Sequence, residues 1–199
     1  MKIGIVDLEI CNVQSIINTV NSLDHEYQLV KSSKDLVKID GVIFPGVGAF
    51  DETIKRLHHT GLYSTIQNEL RSNSLPYFGI CIGMQILFEG SEEGKLAGLN
   101  VFPGMCKKLQ KSHIGWYHLC WTNNYLLHNI DFHEKFYFIH NYYVKLTDEY
   151  TEYSTLRMPN DIVSSISNGT VHGVQFHPEK SFNAGAKVIT NYVEQLKCL

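Results

Sequence analysis

The chemistry of this sequence begins at a cysteine between two glycines, in the segment Gly79–Gly83 (GICIG), where a predicted strand ends and a predicted helix begins. This spacing is that of a nucleophile elbow with cysteine as the nucleophile. The glycines allow a tight turn, and the free N–H groups and positive dipole end of the following helix favour the thiolate of Cys81 over the thiol. The N–H of Ile82 is also placed to hold an oxyanion. The alternative is a tight strand–helix turn in which the cysteine is incidental.

A candidate base and a carboxylate to orient it lie in the segment Gly173–Glu179 (GVQFHPE). A thiol nucleophile needs a base within hydrogen-bond reach, and that base needs a third group to hold it. His177 and Glu179 are two residues apart, so an extended chain can turn both side chains to one side of a strand end. The sequence contains ten histidines, and a surface His and Glu in a loop is therefore the alternative.

A third motif, PGVGAF at residues 45–50, follows the apolar run Gly41–Phe44. Gly46 and Gly48 allow backbone N–H groups to approach a ligand closely, as an oxyanion hole or a carboxylate nest requires. No Lys-Ser/Thr pair follows, so a phosphate-binding loop is poorly supported. A plain turn between a strand and a helix remains the alternative.

The elements that would position these motifs alternate between strands and helices in the first half of the chain. Strands are predicted at Ile3–Val6, Tyr27–Val30, Gly41–Phe44 and Pro76–Ile80, and helices at Val13–Leu23 (Asn12 as N-cap), at Asp51–Arg71 with a break near Thr60–Gly61, and at Ile82–Phe88. From Gly98 to Gln175 the chain is rich in aromatic and β-branched residues, with a hairpin turn at Asn168–Gly169, and Ala184–Leu196 forms a final helix. The pattern predicts one three-layer α/β domain with a mainly parallel central sheet, helices on both faces and an added antiparallel section.

Composition excludes several classes of protein. A formal net charge of -3 over 199 residues provides no basic field for nucleic acid. The start, MKIGIVDL, lacks the features of a signal peptide, and no window approaches the length of a membrane span. Five cysteines without a CxxC pair fit neither a disulfide framework nor a zinc site. We therefore expect a reduced, cytoplasmic protein without a bound metal.

Taken together and in this order, the motifs resemble those of the triad-type glutamine amidotransferases, which carry PGVGAF-, GxCxGxQ- and FHPE-type blocks. The resemblance spans essentially the whole chain and implies a glutaminase domain over residues 1–199. Within that superfamily, the chain looks like the glutaminase subunits of imidazole glycerol phosphate synthase. The blocks that support this narrower resemblance are PGVGAF (45–50), GICIGMQ (79–85), FEGSEEG (88–94), HIGW (113–116), YFIHNYY (137–143) and GVQFHPEKS (173–181).

The resemblance implies a role for each matching residue. Cys81 corresponds to the nucleophile, His177 to the general base and acid, and Glu179 to the group that orients it. The positions that would bind glutamine are Gly46, Val47, Gly48, Ile82, Gln85, Glu93, Asn141 and Tyr142. The positions expected at the edge facing a synthase partner are Asn12, Trp116, Tyr137 and Lys180. For these edge residues the alternative is simple packing of the aromatic rings and a solvated lysine.

The resemblance also implies a partner and the absence of a cofactor. The family's partner is a (β/α)₈-barrel cyclase subunit, which receives ammonia through an internal tunnel. With a phosphoribosyl-formimino nucleotide, ammonia then gives imidazole glycerol phosphate for histidine synthesis and an aminoimidazole carboxamide nucleotide. Neither a metal nor an organic cofactor is implied.

Departures from the family pattern leave other functions open. The family usually has Asp-Tyr-Gly-x-Gly-Asn after the first strand, whereas this chain has DLEICN at residues 7–12. Tyr117 stands where asparagine is usual, and Asn141 where serine or threonine is usual. A paralogous glutaminase that feeds a different synthase, such as one aminating a cell-surface sugar, is therefore the main alternative. Gln85 and Glu93 argue against a stand-alone thiol hydrolase or peptidase, and the complete triad argues against a non-catalytic subunit.

Overall fold

The structure, a computed structural model, describes residues 1–121, 124–146, 152–156 and 162–199. The strands are β1 (Lys2–Val6), β2 (Glu26–Val30), β3 (Gly41–Phe44), β4 (Tyr77–Ile80), β5 (Gly90–Ser91), β6 (Gly104–Cys120), β7 (Lys135–Leu146), β8 (Glu152–Leu156), β9 (Val163–Asn168) and β10 (Val171–Val174). The helices are α1 (Gln14–Ser22), α2 (Phe50–His59), α3 (Leu62–Arg71), α4 (Ile82–Gln85) and α5 (Phe182–Leu196).

The strands form one mixed sheet in the order β2-β1-β3-β4-β10-β9-β8-β6-β5, with β7 paired to β6. Strands β2, β1, β3, β4 and β10 are parallel neighbours. Strands β9, β8, β6 and β7 continue the sheet by antiparallel pairing, and this is the predicted antiparallel section. The parallel block brings the carboxyl ends of β1, β3, β4 and β10 to one edge, where open α/β sheets bind their ligands.

Buried side chains on the two faces of the sheet form two separate apolar clusters. One cluster contains the inward-facing residues of α1 and α5, such as Ile16 and Val188, against Ile3 and Ile5 of β1. The other contains those of α2 and α3, such as Leu57 and Ile66. Helices therefore cover both faces of the parallel block, and the predicted three-layer α/β domain is confirmed.

Three local predictions differ from the structure. The helix after Cys81 ends at Gln85 rather than Phe88. The two-residue turn between β9 and β10 is Gly169–Thr170 rather than Asn168–Gly169, because Asn168 still pairs with Val171 and Gly169 has the positive φ of 59°. Val13 is the N-cap of α1, although the Asn12 side chain accepts the N–H of Gln14 at 2.8 Å.

In the part of the chain that the structure describes, no helix combines the length and the apolar character needed to cross a membrane. All five cysteines carry free thiols.

His172 of β10 is a buried histidine whose effect on stability can be tested. Its Nδ1 lies 2.9 Å from Ser167 Oγ, and its Nε2 lies 2.6 Å from Gln195 Oε1 on α5. Burial lowers the pKa of His172 from 6.5 to about 4, while the hydrogen bond to Gln195 partly opposes the shift. Above pH 6.5 the ring is neutral in both states, whereas between pH 6.5 and 4 only the unfolded chain binds the proton. Acidification through this window therefore destabilises the fold.

We expect the variant His172→Gln to lose less stability on acidification than the wild type. Between pH 7 and pH 5, measured by urea unfolding, the wild type should lose about 2 kcal/mol more than the variant, since one pKa unit corresponds to about 1.4 kcal/mol. The exposed His59 provides the control, and His59→Gln should keep the wild-type pH dependence. Equal slopes for His172→Gln and the wild type would contradict the assignment.

Candidate active site

A cavity of about 260 Å³ opens at the carboxyl edge of the parallel strands, with Cys81 in its lining. Seven of the residues expected to bind the substrate also line it: Val47, Gly48, Ile82, Gln85, Glu93, Asn141 and Tyr142. Gly46 lies behind this lining, where a Cβ would come within 2.3 Å of Ile82 Cγ2. The backbone at Gly46 therefore passes close to the side chain of Ile82, the residue that follows Cys81.

Cys81 occupies a strained backbone position between β4 and α4. Its φ of 53° and ψ of -104° lie outside the regions that non-glycine residues readily adopt. A Cβ at Gly79 would lie 2.3 Å from the carbonyl oxygen of Gly83, and one at Gly83 would lie 2.1 Å from that of Phe44. Both glycines are thus required by close backbone approach, and the tight turn presents the cysteine to the cavity.

The first N–H groups of α4 lie directly after Cys81. The N–H groups of Met84 and Gln85 both bond the Cys81 carbonyl oxygen, so helical hydrogen bonding begins at this carbonyl group. The N–H groups of Ile82 and Gly83 precede the first intrahelical bonds, as in any helix N-terminus. Because α4 has only four residues, these two N–H groups contribute more to the site than a helix dipole does.

His177 follows β10 and is oriented by Glu179. His177 Nδ1 lies 2.7 Å from Glu179 Oε1, so the ring donates its Nδ1 proton to the carboxylate. The backbone also holds the histidine, since its N–H bonds the Tyr137 carbonyl oxygen at 2.8 Å and its carbonyl oxygen accepts from Ser181 Oγ. The other ring nitrogen, Nε2, is buried without a hydrogen-bond partner among the described residues. That nitrogen is therefore free to exchange a proton with the site.

The charge state of His177 follows from its neighbours. Burial lowers its pKa, but the nearby Cys81 sulfur and the hydrogen bond and charge of Glu179 together outweigh burial and raise the pKa from 6.5 to about 9. At neutral pH the ring is therefore protonated, and an imidazolium faces the Cys81 sulfur. A protonated ring at this place can give a proton to a group that leaves the sulfur side of the site.

Glu93 and Gly48 complete the wall near α2. Glu93 Oε2 accepts the N–H of Phe50, the first residue of α2, at 2.8 Å. This bond holds a carboxylate at a helix N-terminus, where negative charge is stabilised, and directs it to the cavity. Gly48 has a φ of 145°, which only glycine adopts without strain, and it lies where the chain passes from β3 to α2.

A family model of class-I glutamine amidotransferases matches residues 4–195. The chain belongs to this family. It is 32% identical over 200 residues to the imidazole glycerol phosphate synthase subunit HisH of Leptospira borgpetersenii, covering 96% of this chain and 98% of that protein. It is 35% identical over 204 residues to the HisH subunit of Acaryochloris marina, covering 98% of this chain and 95% of that protein. A chain in the solved structure of PurLQS from Thermotoga maritima has the same fold, with a TM-score of 0.77, 18% identity, and coverage of 98% of both chains.

The resemblance inferred from the sequence blocks is thereby confirmed, both for the amidotransferase family and for its similarity to HisH subunits.

Two cavity residues of this amidotransferase were missed by the sequence analysis, Ile139 and His140. His140 Nδ1 lies 2.7 Å from the Tyr142 carbonyl oxygen, so Nδ1 carries the proton and Nε2 accepts from His113 Nδ1 at 2.9 Å. Burial lowers the pKa of His140 to about 4 and also lowers that of His113. Both rings are therefore neutral at neutral pH. In the sequence, the only signal for Ile139 and His140 was their position inside the YFIHNYY block, and the only signal for His113 was its position inside HIGW.

The altered first loop of this amidotransferase reaches the site through Cys11. Its Sγ lies 3.7 Å from the Pro45 carbonyl oxygen, at the start of the PGVG segment. Burial, followed by the charge of Glu179, raises the pKa of Cys11 to about 11, although the adjacent backbone at Val47 opposes the shift. The thiol is thus protonated at neutral pH, and it packs where the family usually has glycine.

The residues expected at a partner edge are partly brought together. The Trp116 and Tyr137 rings meet edge to face at 5.5 Å, and Lys180 Nζ lies 5.8 Å from the Tyr137 ring centre. Phe182, 79% exposed, stacks on Trp116 at 5.0 Å, and Trp116 itself is 39% exposed. Trp116 is therefore not a core aromatic. Asn12 is exposed at the first loop, before α1.

Proposed function

We propose that this chain is the glutaminase subunit of imidazole glycerol phosphate synthase. It hydrolyses glutamine to glutamate and supplies ammonia to a (β/α)₈-barrel cyclase, which makes imidazole glycerol phosphate and an aminoimidazole carboxamide nucleotide in histidine biosynthesis. The observation that carries the proposal is the convergence of Cys81, on its strained elbow, with the His177–Glu179 pair in a chain similar to HisH subunits.

The proposed reaction is acyl transfer through a thioester. The Cys81 thiolate attacks the side-chain amide carbon of glutamine, and the backbone N–H groups of Val47 and Ile82 hold the resulting oxyanion. The His177 imidazolium gives its Nε2 proton to the leaving nitrogen, which departs as ammonia. The neutral imidazole then takes a proton from water as that water attacks the γ-glutamyl thioester. Glutamate leaves, and the thiolate–imidazolium pair is restored.

Substrate binding is assigned to the cavity wall. The Glu93 carboxylate lines the cavity and is suited to the α-ammonium group of glutamine because opposite charges attract. Gln85 is assigned to the amide end, and its neighbour Tyr142, whose carbonyl oxygen accepts from Gln85 Nε2 at 3.1 Å, lines the cavity together with Asn141. Gly46 lets the oxyanion segment pack closely against Ile82, and Gly48, where a Cβ would meet open space, is assigned to the approach of the backbone to the bound amide.

The partner surface is assigned to the exposed aromatic residues and Lys180. Trp116, Tyr137 and Lys180 lie together on the side of the molecule that carries His177, since the His177 N–H bonds the Tyr137 carbonyl oxygen. A partner docked there could receive ammonia close to where it forms. Ammonia lost to water is wasted, so we expect the isolated glutaminase to be nearly idle.

The deciding experiment measures glutamate release from glutamine, with and without the cyclase of the same organism and its nucleotide ligand. The proposal predicts stimulation of about tenfold or more, the size of a typical coupling between sites. Product formation by the cyclase with added ammonium salt shows that the cyclase itself is intact.

Absence of stimulation, with Cys81 still labelled by a glutamine-analogue inhibitor, would identify a glutaminase of a different synthase, such as one aminating a cell-surface sugar. The altered first loop at Cys11 and the ring of Tyr117, which lies 3.9 Å from the His113 ring at a tilt of 35°, are the features that favour this alternative.

A further inference from the structure

Gln175 is a fully buried polar side chain between β10 and His177, and the mechanism above does not use it. Its backbone N–H bonds the Ser164 carbonyl oxygen of β9 at 2.9 Å, which fixes the residue after its strand ends. Its side chain points to the site, where Nε2 lies 3.5 Å from Cys81 Sγ. A buried amide N–H in contact with a reactive sulfur provides that sulfur with a hydrogen-bond donor that water does not replace.

A chain of amide hydrogen bonds holds Gln175 in place. Its Oε1 accepts from Gln85 Nε2 at 2.9 Å, and the same Gln85 nitrogen donates to the Tyr142 carbonyl oxygen at 3.1 Å. The chain therefore runs from the cavity wall at Tyr142, through two glutamine side chains, to the Cys81 sulfur. Gln85 is also buried, so neither amide exchanges these partners freely with water.

The direction of this chain follows from the group at its far end. The Tyr142 carbonyl can only accept, so the nitrogen of the Gln85 amide must face it. That nitrogen then requires an acceptor in Gln175, so the oxygen of the Gln175 amide must face Gln85. The nitrogen of Gln175 is left facing Cys81. Reversing the Gln85 amide would place two acceptors against each other, and reversing the Gln175 amide would place two donors against each other, which fixes the assignment of oxygen and nitrogen.

We propose that Gln175 is a positioning residue that donates a hydrogen bond to Cys81, stabilises its thiolate and holds the sulfur towards the cavity. This inference rests on the proposed glutaminase function for its role in turnover, but its effect on the sulfur can be measured without that function. A carboxamide suits the task because its N–H is a donor at every pH of interest. It cannot take the proton of the thiol, so it does not compete with His177 for that role.

Gln175 and His177, two residues of one segment, then have separate roles towards the Cys81 sulfur, and only Gln175 is within hydrogen-bond distance of it in the described residues. His177 supplies a titratable proton, whereas Gln175 supplies a permanent one. A thiolate accepts hydrogen bonds more strongly than a thiol, so the contact with Gln175 favours the charged form. The spacing of two residues in GVQFH places both side chains on the same side of the chain as it leaves β10.

The test is the pH profile of Cys81 alkylation by iodoacetamide, followed by mass spectrometry of the Cys81 peptide. We expect Gln175→Met, of similar length but without a donor, to react about tenfold more slowly at pH 7, with its half-maximal rate displaced to higher pH. Gln175→Glu keeps the shape of the side chain and can still accept from Gln85. It places a carboxylate against the Cys81 sulfur, so the alkylation rate at pH 7 should fall further than in Gln175→Met. The control is Gln67→Met, which removes an amide bonded to the Leu99 carbonyl oxygen outside the cavity. It should keep the wild-type profile.

Gln175→Met and Gln175→Glu profiles that coincide with the wild type, in proteins with the wild-type circular dichroism spectrum, would overturn the proposal. A uniform fall in rate at all pH values, without displacement of the profile, would also overturn it, because lost packing alone gives that result. If the profile moves as expected while the wild type shows no glutaminase activity with any synthase, the inference about Gln175 stands and the proposed function fails.

Discussion

Cys81→Ser should lower glutamate release from glutamine by about 10⁴-fold or more, the size of loss seen when a nucleophile of a catalytic triad is removed. A serine hydroxyl holds its proton far more tightly than a thiol, so the protonated His177 beside it cannot produce an alkoxide. The strained backbone at Cys81, with φ of 53°, accepts serine as readily as cysteine. The variant should therefore keep its fold and its partner binding, which thermal unfolding and a pull-down of the cyclase can verify.

The matched control for this substitution is Cys198→Ser, because Cys198 is an exposed thiol near the end of α5 and away from the cavity. It should retain the wild-type rate. Turnover by Cys81→Ser equal to that of the control would remove Cys81 from the mechanism and leave the elbow as a structural turn.

The second large effect is expected for His177→Asn. Asparagine can still bond Glu179, but it carries no proton that it can give to the leaving ammonia or take from water. Steady-state glutamate release should fall by about 10³-fold or more. Cys81 should still react with iodoacetamide, but more slowly, because the imidazolium that favours the thiolate is gone.

His59→Asn, at the exposed C-terminal end of α2, is the corresponding control and should leave both rates unchanged. Loss of turnover together with continued alkylation would separate the proton-transfer role from the nucleophile. Normal turnover by His177→Asn would instead mean that another group transfers the proton.

Much of this protein could be inferred from its sequence, because the chemistry depends on residue types at short spacing. The glycines at Gly79 and Gly83 predicted a turn that no side chain could enter, and the structure shows backbone oxygens within 2.3 Å of both virtual Cβ positions. The alternation of apolar runs with helical patterns predicted the parallel block, and the aromatic and β-branched second half with its hairpin turn predicted the antiparallel section. The turn and the type of each strand and helix are local features, so neighbouring residues determine them.

The length of α4 was not predictable from local pattern. Apolar residues continue through Phe88, which suggests a longer helix, yet the helix ends at Gln85. Ile86 and Phe88 are instead buried in the second apolar cluster, and the carbonyl oxygens of Ile86 and Leu87 accept from Leu99 and Val101. The N–H groups of Leu87 and Phe88 still bond the residues three positions earlier, so the helix ends because the carbonyl oxygens take tertiary donors and the side chains are buried.

The sequence by itself determined which residues can react and the order in which strands present them. Only the tertiary structure decided which distant residues meet. Gln175 and Cys81 are 94 residues apart, and they touch because β10 lies parallel to β4, with Gly173 opposite Gly79. Ile139 and His140 enter the cavity because β7 pairs with β6 far from both motifs. Strand pairing is a long-range choice, set by packing of the whole sheet, and no short segment contains it.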